Sequence, residues 1–115
     1  LDVSLAGERE NRQILFFWAT WCGPCKSAIL PFYDWLVKEG IDPGLVLAIS
    51  DEDPELLKSF LKKRSIPFTV VSDIHRTSFG RFKIKGTPAW VWIEKDGALI
   101  DSYTGYRKGM DFAPR

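Results

Sequence analysis

The chain has 115 residues, 45% of them hydrophobic, with 16 basic and 15 acidic side chains and a net charge of +1. This is enough apolar material for one domain with a core of its own, and two cysteines are too few for a disulfide-dense miniprotein. Balanced, interspersed charge excludes a nucleic-acid or membrane-surface footprint, and Arg81, Lys83 and Lys85 read as a small solvated face.

In chain order, Leu1 to Arg12 is a polar lead-in with weak structure. Ile14 to Ala19 (ILFFWA) is a continuous apolar run, read as a strand buried on both faces. A turn containing both cysteines follows. From Pro24 to Lys38, Ile29, Phe32, Trp35 and Leu36 recur at helical spacing, and Gly40 stands where a helix would stop. Pro31 removes a donor inside that helix and is expected to kink it. Leu45 to Ser50 is a second buried strand. Asp53 and Pro54 form an N-cap and first helical residue, with Leu56, Leu57, Phe60 and Leu61 as the apolar stripe of a helix reaching Ser65. Phe68 to Ser72 is a short strand and Arg76 to Phe82 a short helix or turn. Ala89 to Glu94 is a strand, Lys95 to Gly97 a hairpin turn and Ala98 to Tyr103 its partner. Trp90 and Trp92 alternate with Val91 and Ile93, so both faces of that strand are read as core. Strands alternating with helices, then a terminal hairpin, imply an α/β fold with helices around a mixed sheet, in a single domain over 1–115.

The chemistry lies in WCGPC, Trp21 to Cys25. A bridge across so short a loop removes little entropy from the unfolded chain, so a structural staple is a poor reading. Zinc takes four ligands, and beyond Cys22 and Cys25 the sequence offers only His75, which reads as an ordinary surface residue. No metal is therefore assigned, although a binding module that carries copper on Cys22, Cys25 and His75, or docks a partner without turnover, stays as a rival of a different class. Reversible redox chemistry fits better. Thiol–disulfide exchange needs a reachable thiolate of lowered pKa. A strand running through a turn into a helix supplies unpaired N–H groups and the positive end of the helix dipole at Cys22. Cys25, one turn on, is placed to resolve a mixed disulfide. Gly23 is read as permitting the tight entry and Pro24 as tolerated in the first helical turn. Trp21 beside the nucleophile is read either as a partner contact or as packing.

The segment FFWATWCGPCK, Phe16 to Lys26, resembles the active-site segment of the thioredoxin superfamily. GTPAW, Gly86 to Trp90, is similar to the family's loop that carries a cis-proline opposite the disulfide, here Thr87-Pro88. In that family the residue before the proline pairs its backbone with the substrate chain, so Thr87 and Pro88 join Trp21, Gly23 and Pro24 as expected substrate-binding residues. Beyond the helix from Asp53 to Ser65, the additional strand and helix before the cis-proline loop resemble the TlpA/ResA-type branch. The resemblance spans roughly Ile14 to Tyr106, and implies a thioredoxin-like fold with an extra strand–helix insertion.

It also implies function. Members of the branch are generally exported, often tethered to the membrane, and keep protein thiols reduced outside the cytoplasm. The expectation is therefore a disulfide reductase with Cys22 as nucleophile, Cys25 as resolving thiol and no bound cofactor. Its partners would be disulfide-containing proteins and a thiol electron-donor protein, one candidate being membrane-embedded; nucleic acid is not expected and the chain is expected to be a monomer. Thr before the cis-proline also occurs in disulfide isomerases, so an oxidase or isomerase is the nearest rival. No stretch reaches the roughly 18 apolar residues of a membrane span. The start at Leu1 is read as a mature or excised piece whose targeting or anchoring segment was removed.

Three positions depart from the family pattern. Phe16 stands where thioredoxin carries a buried Asp, Ala28 where many TlpA/ResA-type proteins carry Glu, and Pro31 lies one residue late. Asp51 or Glu52 is a substitute proton acceptor for Cys25, against a solvated-loop reading that the sequence favours. After Tyr106 the family's last helix is expected to be short or absent.

Overall fold

Five strands share one sheet, in the order β3-β2-β1-β4-β5, in the computed structural model, which describes residues 12–115. The polar lead-in expected before them lies outside the described residues, except that Arg12 opens the first strand. Strand β1 (Arg12–Phe17) pairs parallel with β2 (Val46–Ser50) and antiparallel with β4 (Ala89–Glu94). Strand β3 (Thr69–Ser72) extends the parallel side and β5 (Leu99–Thr104) the antiparallel side. The central strands are buried on both faces, as their continuous apolar runs require. Ile14, Phe16, Val46, Ala48, Trp90 and Trp92 pack on one face. Leu15, Phe17, Leu47, Ile49, Val91 and Ile93 pack on the other.

Local chemistry sets the helix boundaries. Helix α1 (Gly23–Lys38) is capped by Cys22 and runs as one helix through Pro31. It ends where Gly40, at φ +73°, donates to Val37 and Ile41 donates to Leu36, the paired bonds of a Schellman closure. Helix α2 (Pro54–Lys63) starts as expected, with the Asp53 carboxylate accepting the Glu55 N–H at 2.7 Å. It ends at Lys63, short of Ser65, with Arg64 already extended. The apolar stripe needs correction. Leu57 is buried and Phe60 packs on Trp18 at 5.6 Å, but Leu56 lies 47% exposed. A ten-residue helix packed against one core cluster buries a narrower arc than its composition offers.

Strand β1 stops before Trp18 and Ala19, because the chain is already turning there; the Trp18 N–H still reaches the Ile49 carbonyl at 3.0 Å. Helix α3 (Thr77–Arg81) is shorter than expected at both ends. Its cap comes from Asp73, whose carboxylate accepts the N–H groups of Thr77, Ser78 and Phe79. Arg76, at φ +57°, occupies the left-handed region and bridges that cap to the helix.

The additional strand and helix expected before the cis-proline loop are β3 and α3, which follow α2 and precede β4. After β5 no helix follows among the described residues. Instead the tail folds back. Phe112 is buried among Phe32, Trp35 and Trp90, with ring centroids 5.1, 5.9 and 5.2 Å away. Tyr103 accepts the Trp92 indole N–H at 3.1 Å and donates its hydroxyl to the Phe112 carbonyl, which locks the tail onto the hairpin.

Candidate active site

The two cysteines sit where β1 hands over to α1. Trp18 to Trp21 make the turn, and the Cys22 N–H closes it on the Ala19 carbonyl at 3.1 Å. Cys22 is the N-cap, with extended backbone (φ −85°, ψ 106°), so its side chain faces the first free N–H groups of the helix. Its Sγ accepts the Cys25 N–H at 3.2 Å. Cys22 and Cys25 are joined in a disulfide, with Cα atoms 5.2 Å apart. Both cysteines are buried in this oxidised state, and Cys22 is the one next to the exposed Trp21 and the cis-proline loop.

The cis-proline loop closes the other side. The Thr87-Pro88 bond is cis, and the Thr87 carbonyl oxygen lies 3.7 Å from Cys22 Sγ. Tertiary structure thus brings together residues 65 apart in sequence. Trp21 stands 74% exposed beside the disulfide, which removes the packing reading and leaves a rim residue. A groove of about 110 Å³ runs between Trp21 and Thr87, flanked by Lys85 and by the ion pair of Asp51 with Arg76. Pro24 is exposed in the first helical turn, where its missing N–H breaks no helical bond.

Gly23 corrects the sequence reading. It is helical, and a Cβ built there would meet no atom within 4 Å, so the turn does not need a glycine for entry. The missing side chain keeps the rim beside Cys22 low. His75 is exposed on the turn before α3, and no group of three His, Cys, Asp or Glu able to hold a metal exists among the described residues. Cys22, Cys25 and His75 are not gathered into a copper site.

Around Cys25 the departures have physical content. Phe16 and Ala28 are fully buried in the same cluster as both cysteines, beside Phe32, Phe68 and Trp90. A carboxylate at either position would be desolvated there. Asp51 is committed to Arg76. Glu52 is not a solvated loop residue. Its carboxylate accepts the Thr20 N–H at 2.8 Å, the Thr20 hydroxyl at 2.6 Å and the Ser50 hydroxyl at 2.7 Å. Sequence reasoning missed this link because Thr20 and Glu52 are 32 residues apart. The only available signal was Ser50 closing an otherwise apolar strand, with Glu52 two residues on.

Comparison with known proteins agrees with this geometry. The AhpC/TSA family matches residues 2–102. The chain is 33% identical over 112 residues to a thioredoxin-like protein of Haemophilus influenzae, covering 92% of this chain and 65% of that one. It is 31% identical over 105 residues to the thiol-disulfide oxidoreductase ResA of Oceanobacillus iheyensis, covering 90% of this chain and 54% of that one. It therefore spans between about half and two thirds of the length of these relatives. Among solved structures, the exposed lipoprotein thioredoxin of Streptococcus pneumoniae superposes with a TM-score of 0.73 at 22% identity, covering 90% of this chain and 82% of that one. That likeness establishes the thioredoxin-like fold. The chain belongs to the AhpC/TSA family, as a ResA-like member of the thioredoxin superfamily.

Proposed function

We propose that this chain is a thiol–disulfide oxidoreductase that reduces disulfides of exported proteins. The observation that carries the reading is the Cys22 sulfur held at a helix N-terminus, 3.2 Å from the Cys25 N–H, with a substrate-facing carbonyl 3.7 Å away. A thiolate at that sulfur gains a charge-assisted hydrogen bond and the helix dipole together. In the reduced protein, the Cys22 thiolate attacks one sulfur of a substrate disulfide and one substrate thiolate leaves. Cys25 then attacks Cys22 Sγ, releasing the second substrate thiolate and forming the Cys22–Cys25 disulfide. Two electrons pass to the substrate, and the Cys25 proton goes to solvent or to the departing thiolate. A dithiol donor protein then reduces the Cys22–Cys25 disulfide by the same exchange, becoming a disulfide itself.

Thr87 and Pro88 present backbone to the incoming chain, while Trp21, Gly23 and Pro24 form the rim on which it docks. Export is favoured by the resemblance to ResA-type proteins and by the description of the structural neighbour as an exposed lipoprotein. No helix among the described residues is long and apolar enough to cross a membrane, so an anchor would lie elsewhere. Gly-Pro between the cysteines favours reduction over oxidation. Equilibration of the full chain against a glutathione or dithiothreitol series tests the direction. A potential near or below about −250 mV places it with reductases, and one above about −180 mV makes it an oxidase or isomerase. Full activity in Cys22→Ser would remove the whole reading.

A further inference from the structure

Glu52 does something that neither the cysteine motif nor the cis-proline loop accounts for. It sits just beyond β2, and its own backbone is fixed to two strand ends. The Glu52 N–H donates to Ser50 Oγ at 3.2 Å, and the Ser72 hydroxyl donates to the Glu52 carbonyl at 2.7 Å. From that anchored position both carboxylate oxygens reach the turn before the disulfide. One accepts the Thr20 N–H and the Ser50 hydroxyl, and the other accepts the Thr20 hydroxyl. Thr20 is two residues before Cys22, and the turn between them is otherwise closed by the bond from Cys22 N–H to Ala19. Ser50 is fully buried, so this end of the link is rigid.

We propose that Glu52 is a positioning residue for the redox turn, pinning Thr20 to the sheet so that Cys22 Sγ stays aligned with the Cys25 N–H. The role rests on the reading of Cys22–Cys25 as the redox pair. Its physical basis is that a reactive sulfur must stay within about half an ångström of its aligned position, here 3.2 Å from the Cys25 N–H, to use that donor fully. A free turn would lose that alignment part of the time, and the thiolate would lose stabilisation. A negative charge acting only through space would do the opposite, since its removal would stabilise the thiolate.

Two substitutions separate these effects. Glu52→Ala removes the clamp and the charge. Glu52→Gln removes the charge but can keep the clamp, because its amide oxygen accepts the Thr20 N–H and the Ser50 hydroxyl while its NH₂ donates to Thr20 Oγ1. Other charges about the turn, Lys26, Lys85 and the paired Asp51 and Arg76, are left in place. The measurement is the pH profile of iodoacetamide alkylation in the reduced full chain, with mass spectrometry counting the adduct on Cys22 apart from that on Cys25. Glu52→Ala is expected to raise the Cys22 pKa by about half a unit or more, with about a threefold or larger fall in alkylation at acid pH. Glu52→Gln is expected to stay closer to wild type than to Ala. Equal shifts in the two variants, a fall of the pKa in Ala, or no shift in either would overturn the role. If Ala fails to fold, Thr20→Val keeps the charge and loses one clamp bond. It should move the profile in the same upward direction, and an unmoved profile would overturn the role. The thiol pKa is read without turnover. A wild-type chain that fails to reduce insulin would therefore sink the oxidoreductase reading and leave this result standing.

Discussion

Replacing Tyr103 by Phe removes one oxygen atom that serves two hydrogen bonds. The Trp92 indole N–H, on a side chain only 2% exposed, loses its acceptor at 3.1 Å, and the Phe112 carbonyl loses its donor. An unsatisfied buried donor costs about 1–3 kcal/mol, so the variant should lose about 2 kcal/mol near neutral pH, measured by urea unfolding. The same hydroxyl makes a pH-dependent prediction. Desolvation by burial chiefly pushes its pKa up to about 12 from 10; Asp101 and Asp111 add to this, and the Trp92 bond and Arg115 oppose it. The folded state therefore keeps the phenol proton where the unfolded chain has released it. Fewer protons bound in the unfolded state means that stability falls as pH rises. The contribution is complete below pH 10 and is lost as pH climbs toward about 12. The informative quantity is the wild-type advantage over Tyr103→Phe, in which the groups common to both proteins cancel. It should be constant from pH 7 to 9 and shrink between about 10 and 12. An advantage that holds or grows across that window would refute the argument, and so would a variant as stable as wild type at pH 7.

On α2, Leu57→Ala should lose about 2–5 kcal/mol in urea unfolding, whereas Leu56→Ala, on the exposed side, should stay within about 0.5 kcal/mol. Asp73→Ala strips the acceptor from three N–H groups at the start of α3 and should lose about 1–2 kcal/mol by the same assay. Trp21→Ala should leave the thermal midpoint unchanged, because the side chain is exposed. Its KM for a protein disulfide should rise about fivefold or more while reduction of a small aromatic disulfide is unaffected; equal loss on both would remove the docking role.

What could be read from the chain alone was what a few neighbouring residues decide. Asp53 followed by Pro54 starts a helix, and Gly40 ends one, because a cap needs only a side chain or a backbone angle within a turn. Cys22 and Cys25 are placed by the same logic, since strand, turn and helix N-terminus lie within a dozen residues. The alternating Trp90, Val91, Trp92 and Ile93 required a strand with two buried faces, and each face found its own core. Tertiary structure alone decided the rest. Whether Leu56 or Leu57 faces inward depends on how α2 is rotated against the core, which composition does not specify. The Phe112 site exists only once Phe32, Trp35 and Trp90 have converged from separate elements. Glu52 reads as a solvated loop acid until β1 and β2 pair in register and carry Thr20 to its carboxylate. Sequence fixes contacts that close within a turn, where few conformations compete. Contacts between distant segments are chosen by the packing of the whole sheet.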